Sequence, residues 1–339
     1  MTSVGILAVS HYTPEKVLTN KELEEKLDTT DEWIRSRTGI HERRVASADE
    51  TTASLGTVAA FRTLEKAGCA PEELDLVIVA TMTPDSILPA IACRIQAEIG
   101  AKNAGAFDVS IACSGFAYAL ALGCGYVASG MARKVLVVGA DVMTRVMNWQ
   151  DRGTCVLFGD GAGAALVGEV QEGFGLLAQD LGSDGRGAEH LSIPAGAGAR
   201  PVGEDGLVPQ DFTLQMNGRE VFRFAVQVMG NSAVRAAEKA GITPNEIDLF
   251  IPHQANSRII EAASKRLGVP SEKVFVNLQR YGNTSCASIP LALSEALEEG
   301  RVREGDKVVL VGFGGGLAWG SLVFRWGGLL PEEPKAGAA

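Results

Sequence analysis

The chain alternates two kinds of apolar pattern. Short unbroken runs at Leu74 to Ala80, Lys134-Val-Leu-Val-Val-Gly139, Ile247 to Pro252 and Lys307 to Val311 lack polar alternation. Valine and isoleucine dominate them, which predicts strands covered on both faces. Val4 to Val9 reads as a first strand. Between the runs, helical spacing predicts helices over Asn20 to Glu25, Asp31 to Arg37 and Thr51 to Ala67, each opened by a capping residue, and over Ala90 to Ile99. Thr154 to Phe158 and Ala162 to Val167 read as a strand pair around Gly159-Asp-Gly161. Covered strands alternating with helices predict an α/β fold.

One stretch departs from this alternation. Ala104 to Val109 is strand-like, Ser114 to Gly130 is helical, and no charge occurs from Val109 to Ala132. That length could span a bilayer, but Ser110, Ser114, Gly115, Gly123, Gly125, Ser129 and Gly130 interrupt it. A helix without a polar face is better explained as one buried on all sides in the middle layer of a large protein. Cys113 stands at the strand-to-helix junction. A thiol on the first turn faces unpaired N–H groups and the positive end of the helix dipole, which favour thiolate. Cys113 is therefore the candidate nucleophile, against the alternative of a small buried cysteine.

The order of elements occurs twice. Glu65-Lys-Ala-Gly68, Pro71, Glu73, Asp75 and Leu76 recur as Glu238-Lys-Ala-Gly241, Pro244, Glu246, Asp248 and Leu249, at an offset of 173. The same offset carries Cys113 to Cys286, Lys134-Val135 to Lys307-Val308 and Gly139 to Gly312. A period this long, occurring twice, predicts two similar α/β halves about a pseudo-twofold axis, residues 1–172 and 173–328. The last residues, 329–339, read as a disordered tail. Equivalent strand ends and helix N-termini converge near such an axis, where open α/β sheets bind ligands.

Net charge of −10 argues against a global grip on nucleic acid or anionic membrane. The six cysteines, 69, 93, 113, 124, 155 and 286, form no CxxC pair and no metal spacing with the four histidines. Free thiols suit a reducing cytoplasm, and Met1 to Glu15 has no basic region ahead of its short apolar run, so it does not read as a secretory signal.

Three further segments fall where the axis predicts chemistry. Ile251-Pro-His253-Gln-Ala-Asn256 sets a histidine at a strand end, Tyr281-Gly-Asn283-Thr-Ser285 is a polar turn ahead of an apolar helix, and Gly312-Phe313-Gly-Gly-Gly316 follows a strand. Taken singly, His253 could be structural, Asn283 an ordinary cap and the glycines a tight turn.

Together with Asp108 to Phe116, these motifs resemble those of the 3-oxoacyl-[acyl-carrier-protein] synthase III family, from Val4 to about Trp326. The Cys-His-Asn set separates that family from elongating condensing enzymes, which carry a second histidine where Asn283 stands. The resemblance implies the thiolase fold, five layers of α-β-α-β-α built from two duplicated halves. It implies acylation of Cys113 by an acyl-CoA, with acetyl-CoA foremost, and then decarboxylative condensation with malonyl-acyl carrier protein. His253 and Asn283 would hold the enolate, the N–H groups of Cys113 and Gly315 the tetrahedral oxyanion, and Phe313 the wall beside the malonyl carboxylate. Trp33 and Arg152 would sandwich the CoA adenine and Arg37 would hold its phosphates, with Thr38 in the same CoA-binding segment. Arg223, Arg258, Lys265 and Arg266 would dock the acidic carrier protein. Leu88 replaces a phenylalanine that in some members reaches into the partner subunit's acyl pocket, a change that would admit longer or branched primers. A homodimer and no cofactor beyond the CoA thioester are implied as well.

Three rivals keep parts of this picture. A related condensing enzyme of secondary metabolism would extend with malonyl-CoA, and a thiolase would use a second cysteine, with Cys286 as the candidate. Gly159-Asp-Gly161-Ala-Gly-Ala164 fits a loose dinucleotide fingerprint, yet strand-like residues follow where a helix is required.

Overall fold

A computed structural model of the protein describes residues 2–195 and 209–330. One five-stranded sheet is ordered Val4–Tyr12, Asp160–Glu169, Val135–Val142, Leu76–Ala80, Gly105–Val109. Leu76–Ala80 runs parallel to both of its neighbours, and the other pairings are antiparallel. A second sheet is ordered Leu249–Pro252, Lys307–Gly314, Ala318–Arg325, Gly175–Ser183, with only its first pair parallel. The connection between Glu169 and Gly175 joins the two sheets, and the expected boundary at residue 172 falls within it.

Between the sheets lie the helices Gly115–Ala128 and Ser288–Glu298. One apolar cluster joins them to both sheets, with Phe116, Leu120, Ile289 and Leu293 packed among Ile78, Val137, Ile251 and Leu310. Thr52–Ala67 and Ile91–Glu98 cover the outer face of the first sheet. Gly218–Lys239 and Ser257–Leu267 cover the second. The layers are α-β-α-β-α, so strands with helices on both faces need the continuous apolar runs seen in the sequence. The uncharged helix is a middle-layer helix as expected, but not buried on all sides: Leu122, Gly125 and Ala128 reach the surface of the single chain.

The repeat extends to individual hydrogen bonds. Lys134 reaches Glu73 at 2.6 Å, and Lys307 reaches Glu246 at 2.7 Å. The backbone N–H of each lysine donates to an aspartate 59 residues earlier, Asp75 and Asp248. At the axis, Gly139 and Gly312 each face the opposite copy's turn. A Cβ on Gly139 would meet the Cys286 carbonyl oxygen at 2.3 Å, and one on Gly312 would meet that of Cys113 at 3.1 Å. Ala112 and Ser285, also 173 apart, are the only non-glycine residues at positive φ among the described residues, at 49° and 50°.

Two further sequence expectations are corrected. Thr154 to Phe158 is a turn, not a strand: the amides of Thr154 and Cys155 donate to the Asp151 carbonyl, and the strand begins only at Asp160. The tail does not begin at 329, because Leu329 bridges Val170 and its carbonyl accepts from Gln171 Nε2 at 3.2 Å. Residues 331–339 lie outside those described. Among the described residues no helix is long and apolar enough to cross a membrane.

Candidate active site

The strand Gly105–Val109 ends beside the axis, and the chain passes through a tight 3₁₀ turn, Ala112–Ser114, before the helix Gly115–Ala128 begins. Cys113 therefore sits just ahead of the helix rather than on its first turn. Its side chain is buried, and the Ser285 hydroxyl lies 3.5 Å from Sγ. Burial pushes the thiol up to about 12, with the Ser285 hydrogen bond opposing the rise and the Asp141 carboxylate adding to it. The helix start is expected to favour thiolate; here removal from water is the larger effect and acts against it.

His253 follows Leu249–Pro252, and its backbone N–H donates to the Val311 carbonyl at 2.7 Å. Its Nδ1 is 2.5 Å from the Ser288 hydroxyl, on the middle-layer helix. Burial takes the imidazole down to about 3, so it is neutral at pH 7. In the tautomer that accepts from Ser288 at Nδ1, the ring proton is on Nε2 and that nitrogen is a donor. Phe313 meets the ring edge-on, with centroids 5.4 Å apart.

Asn283 is held at both backbone groups. Its N–H donates to Leu157 at 2.8 Å, and its carbonyl accepts from Gly159 at 3.0 Å. The side-chain Oδ1 accepts from the Ser285 N–H at 2.9 Å, which fixes the amide and leaves the Nδ2 donors without a partner among the described residues. Gly282, at φ 63°, lets this loop pass within 2.7 Å of the Leu157 carbonyl, measured to a built Cβ.

Cys113, His253, Asn283, Phe313 and Gly314 line one cavity of about 90 Å³. A second, about 210 Å³, opens on the other side of Cys113, between Met82, Met143, Phe158 and Leu214, with Ser285 and Gly315 at its wall. Cys113 therefore lines both a smaller chamber shared with His253 and Asn283 and a larger one, each walled mostly by apolar atoms. Gly314 is required by close approach, since a Cβ there would lie 2.6 Å from the Cys113 nitrogen.

The remaining expected residues fall in three places. On the helix Asp31–Thr38, Trp33 is 39% exposed, with the Arg152 guanidinium 5.8 Å from its ring centre. Two stacking gaps of about 3.5 Å each need roughly 7 Å, so the pair must part to take an adenine between them. Arg152 is meanwhile tied to the Asp28 carbonyl and carboxylate. Arg37 is exposed nearby, its carbonyl accepting from Asn256 at 3.1 Å. Thr38 is a correction: it is buried, its hydroxyl donating to the Ile34 carbonyl and accepting from the Ile40 N–H, so it presents nothing to a ligand.

Arg223, Arg258, Lys265 and Arg266 are exposed on the two adjoining outer helices of the second sheet. Arg258 lies 5.5 Å above Phe222, which lines the smaller cavity. Arg223 pairs with Glu220, Lys265 with Glu261, and Arg266 bonds Asn231. Leu88 is 84% exposed and lines neither cavity.

The sequence reading missed Ser285, Ser288 and Asp141. Ser288 is 35 residues from His253, a separation with no local signal. Asp141 is fully buried, accepting at Oδ1 from Thr81, Met82 and Thr83 and at Oδ2 from the Cys286 N–H. Two rival features find structural explanations. Gly161 to Ala164 lie inside a buried strand, and the Cys286 thiol lies 3.1 Å from the Ala112 carbonyl, pushed well above its ordinary range by burial. Among the described residues no group of three or more His, Cys, Asp or Glu could hold a metal ion.

The chain is similar to known proteins over almost its full length. Residues 107–185 match the family model for 3-oxoacyl-[acyl-carrier-protein (ACP)] synthase III, and residues 237–326 match the model for its C-terminal part. The beta-ketoacyl-[acyl-carrier-protein] synthase III of Caldanaerobacter subterraneus is 51% identical over 324 residues, covering 96% of this chain and 98% of that one. The Thermus thermophilus structure of the same name superposes with a TM-score of 0.90 at 53% identity, covering 96% and 99% of the two chains. A priming beta-ketosynthase from the R1128 polyketide pathway gives 0.89 at 41%, covering 98% of each. With half its residues shared across almost the full length of such relatives, the chain belongs to the 3-oxoacyl-[acyl-carrier-protein] synthase III family, acyltransferases of the thiolase fold that perform the initiating condensation of fatty acid biosynthesis.

Proposed function

We propose that the protein acylates Cys113 from an acyl-CoA, acetyl-CoA foremost, and condenses that acyl group with malonyl-acyl carrier protein. The observation that carries the residue roles is one small cavity lined by Cys113, a neutral His253 and an Asn283 amide whose Nδ2 has no partner among the described residues. The Cys113 sulfur attacks the primer thioester; the bond to CoA sulfur breaks, and the thiol proton leaves with coenzyme A. Exchange of one thioester for another is close to neutral in free energy.

Malonyl thioester then enters the same chamber. Its bond to the carboxylate breaks, carbon dioxide leaves, and the electron pair moves onto the thioester oxygen. His253 Nε2–H and Asn283 Nδ2–H donate to that enolate, a preorganised pair in a water-poor site. Phe313 sets an apolar wall that disfavours the carboxylate over neutral carbon dioxide. The enolate carbon attacks acyl-Cys113, the N–H groups of Cys113 and Gly315 hold the tetrahedral oxyanion, and collapse expels the Cys113 thiolate, which takes up a proton from solvent.

For substrate delivery we assign Trp33, Arg37 and Arg152 to the CoA nucleotide, and Arg223, Arg258, Lys265 and Arg266 to the acidic carrier protein. Halves of residues 1–172 and 173–328, a homodimer in which Leu88 meets the partner subunit, cytoplasmic location and no cofactor beyond the thioester complete the reading. The test is mass spectrometry after mixing with acyl-CoAs: the added acyl group maps to Cys113 and is absent in Cys113→Ser. Acylation elsewhere rejects the assignment. The likeness to a polyketide priming enzyme keeps one second reading, extension with malonyl-CoA, which a direct comparison of the two extenders decides.

A further inference from the structure

Ser285 makes two hydrogen bonds that meet at the reacting groups. Its hydroxyl lies 3.5 Å from the Cys113 sulfur, and its backbone N–H donates to Asn283 Oδ1 at 2.9 Å. It is buried, at a wall of the larger cavity, and held at φ 50°. Its duplicate, Ala112, holds φ 49° directly before the nucleophile. A non-glycine residue in this region is strained, and here the strain turns the side chain of one copy toward the cysteine of the other.

We propose that Ser285 is a positioning residue for the nucleophile: its hydroxyl orients the Cys113 sulfur and stabilises it as a thiolate during acylation, while its backbone fixes Asn283 for the later step. This rests on Cys113 as the acylated residue. The sulfur has no other side-chain hydrogen bond among the described residues. The groups of the other elements around it do not supply one. Asp141 is a carboxylate that opposes ionisation, His253 is neutral, and Cys286 is a thiol bonded to the Ala112 carbonyl. At rest the hydroxyl accepts from the Cys113 thiol and donates to Cys286 Sγ over a longer 3.9 Å, and it turns its proton to Cys113 only when that sulfur ionises. Transfer of the thiol proton to the departing coenzyme A leaves negative charge on sulfur for part of the step, and a hydroxyl donor there favours the charged form.

The experiment compares wild type with Ser285→Ala and Ser285→Gly by the pH dependence of Cys113 alkylation with iodoacetamide, located by peptide mass spectrometry. Alanine already occupies this conformation at 112, and glycine accepts it without strain. Loss of a hydrogen bond to a charged group lowers the thiolate fraction, and so slows both Cys113 alkylation at a given pH and self-acylation at pH 7, on the order of 10- to 100-fold. Both variants keep the N–H to Asn283, so malonyl-thioester decarboxylation by enzyme already acylated on Cys113 stays within about twofold of wild type. An unchanged alkylation profile in Ser285→Ala overturns the proposal. So does recovery of the wild-type profile in Ser285→Gly, which would assign the effect to backbone strain, or an equal loss in both half-reactions. Wild-type alkylation mapping away from Cys113 instead rejects the nucleophile itself, and this proposal with it.

Discussion

Gly314→Ala tests whether the register of the second sheet sets the nucleophile. The added methyl would lie 2.6 Å from the Cys113 nitrogen and 3.1 Å from its Cβ. Ordinary contact begins at 3.4 Å, so the two backbones must part by about 0.8 Å. Both sides of the contact are buried, and neither can yield by swinging a flexible side chain: one is the strand Lys307–Gly314 and the other the 3₁₀ turn Ala112–Ser114. Overpacking of this kind costs about 1–3 kcal/mol. The larger effect is on rate, because the Cys113 N–H is one of the two donors assigned to the oxyanion. Misplacement of about 1 Å costs on the order of a hundredfold, and loss of an oxyanion donor on the order of 10² to 10³. Thermal unfolding and the burst of CoA released on mixing with acetyl-CoA measure the two separately. The expected result is a folded variant, lower in melting temperature, whose acylation is at least about a hundredfold slower. A variant with a wild-type burst would refute the claim that this contact places the nucleophile.

Four further outcomes follow from the same geometry. His253→Ala and Asn283→Ala should each slow malonyl decarboxylation about 10²- to 10³-fold while Cys113 acylation largely survives, measured by carbon dioxide release and by acyl-enzyme mass. Trp33→Ala should raise the acyl-CoA KM several-fold with little change in kcat, since the ring is exposed and remote from the sulfur in sequence and element. Charge reversal at Arg258 and Lys265 should raise KM for malonyl-acyl carrier protein at least about tenfold but not for malonyl-CoA, with the difference fading as salt screens it. Asp180, buried between Arg235, Lys239 and Ser232, has its carboxyl held at about 2 by those donors against the opposing effect of burial. A depressed carboxyl pKa stabilises the fold above the unfolded value near 4 and loses that contribution as pH falls toward about 2. Asp180→Asn should therefore lower stability on the order of 1–3 kcal/mol at pH 7 and flatten the acid limb of unfolding followed by circular dichroism.

What the sequence disclosed, and what it hid, divides along the duplication. The offset of 173 carried the covered strands, the paired ion pairs and the facing glycines, because burial and close approach impose the same residue types on both copies. Thr154 to Phe158 misled because its β-branched and aromatic residues satisfy burial in a turn as well as in a strand. The rest of Thr38's neighbourhood, and the resting charge of Cys113, depend on which partners and how little water the tertiary structure supplies, and local pattern does not encode either. The chemistry lies where the copies cease to match. Ala80 is answered by His253, Ser110 by Asn283, Ala112 by Ser285 and Asp141 by Gly314, each pair at the same offset. A symmetric pair of such turns would present two equal thiols facing across the axis. The substitutions convert one side into nucleophile and the other into hydrogen-bond donors, and the Asp141 to Gly314 exchange leaves one half with a carboxylate bracing Cys286 and the other with bare backbone against Cys113. Read this way, Cys286→Ala should leave both half-reactions near wild type, because its place in the second copy is structural; a loss of condensation beyond about tenfold would show that the second thiol takes part and that the division of labour between the copies has been misassigned.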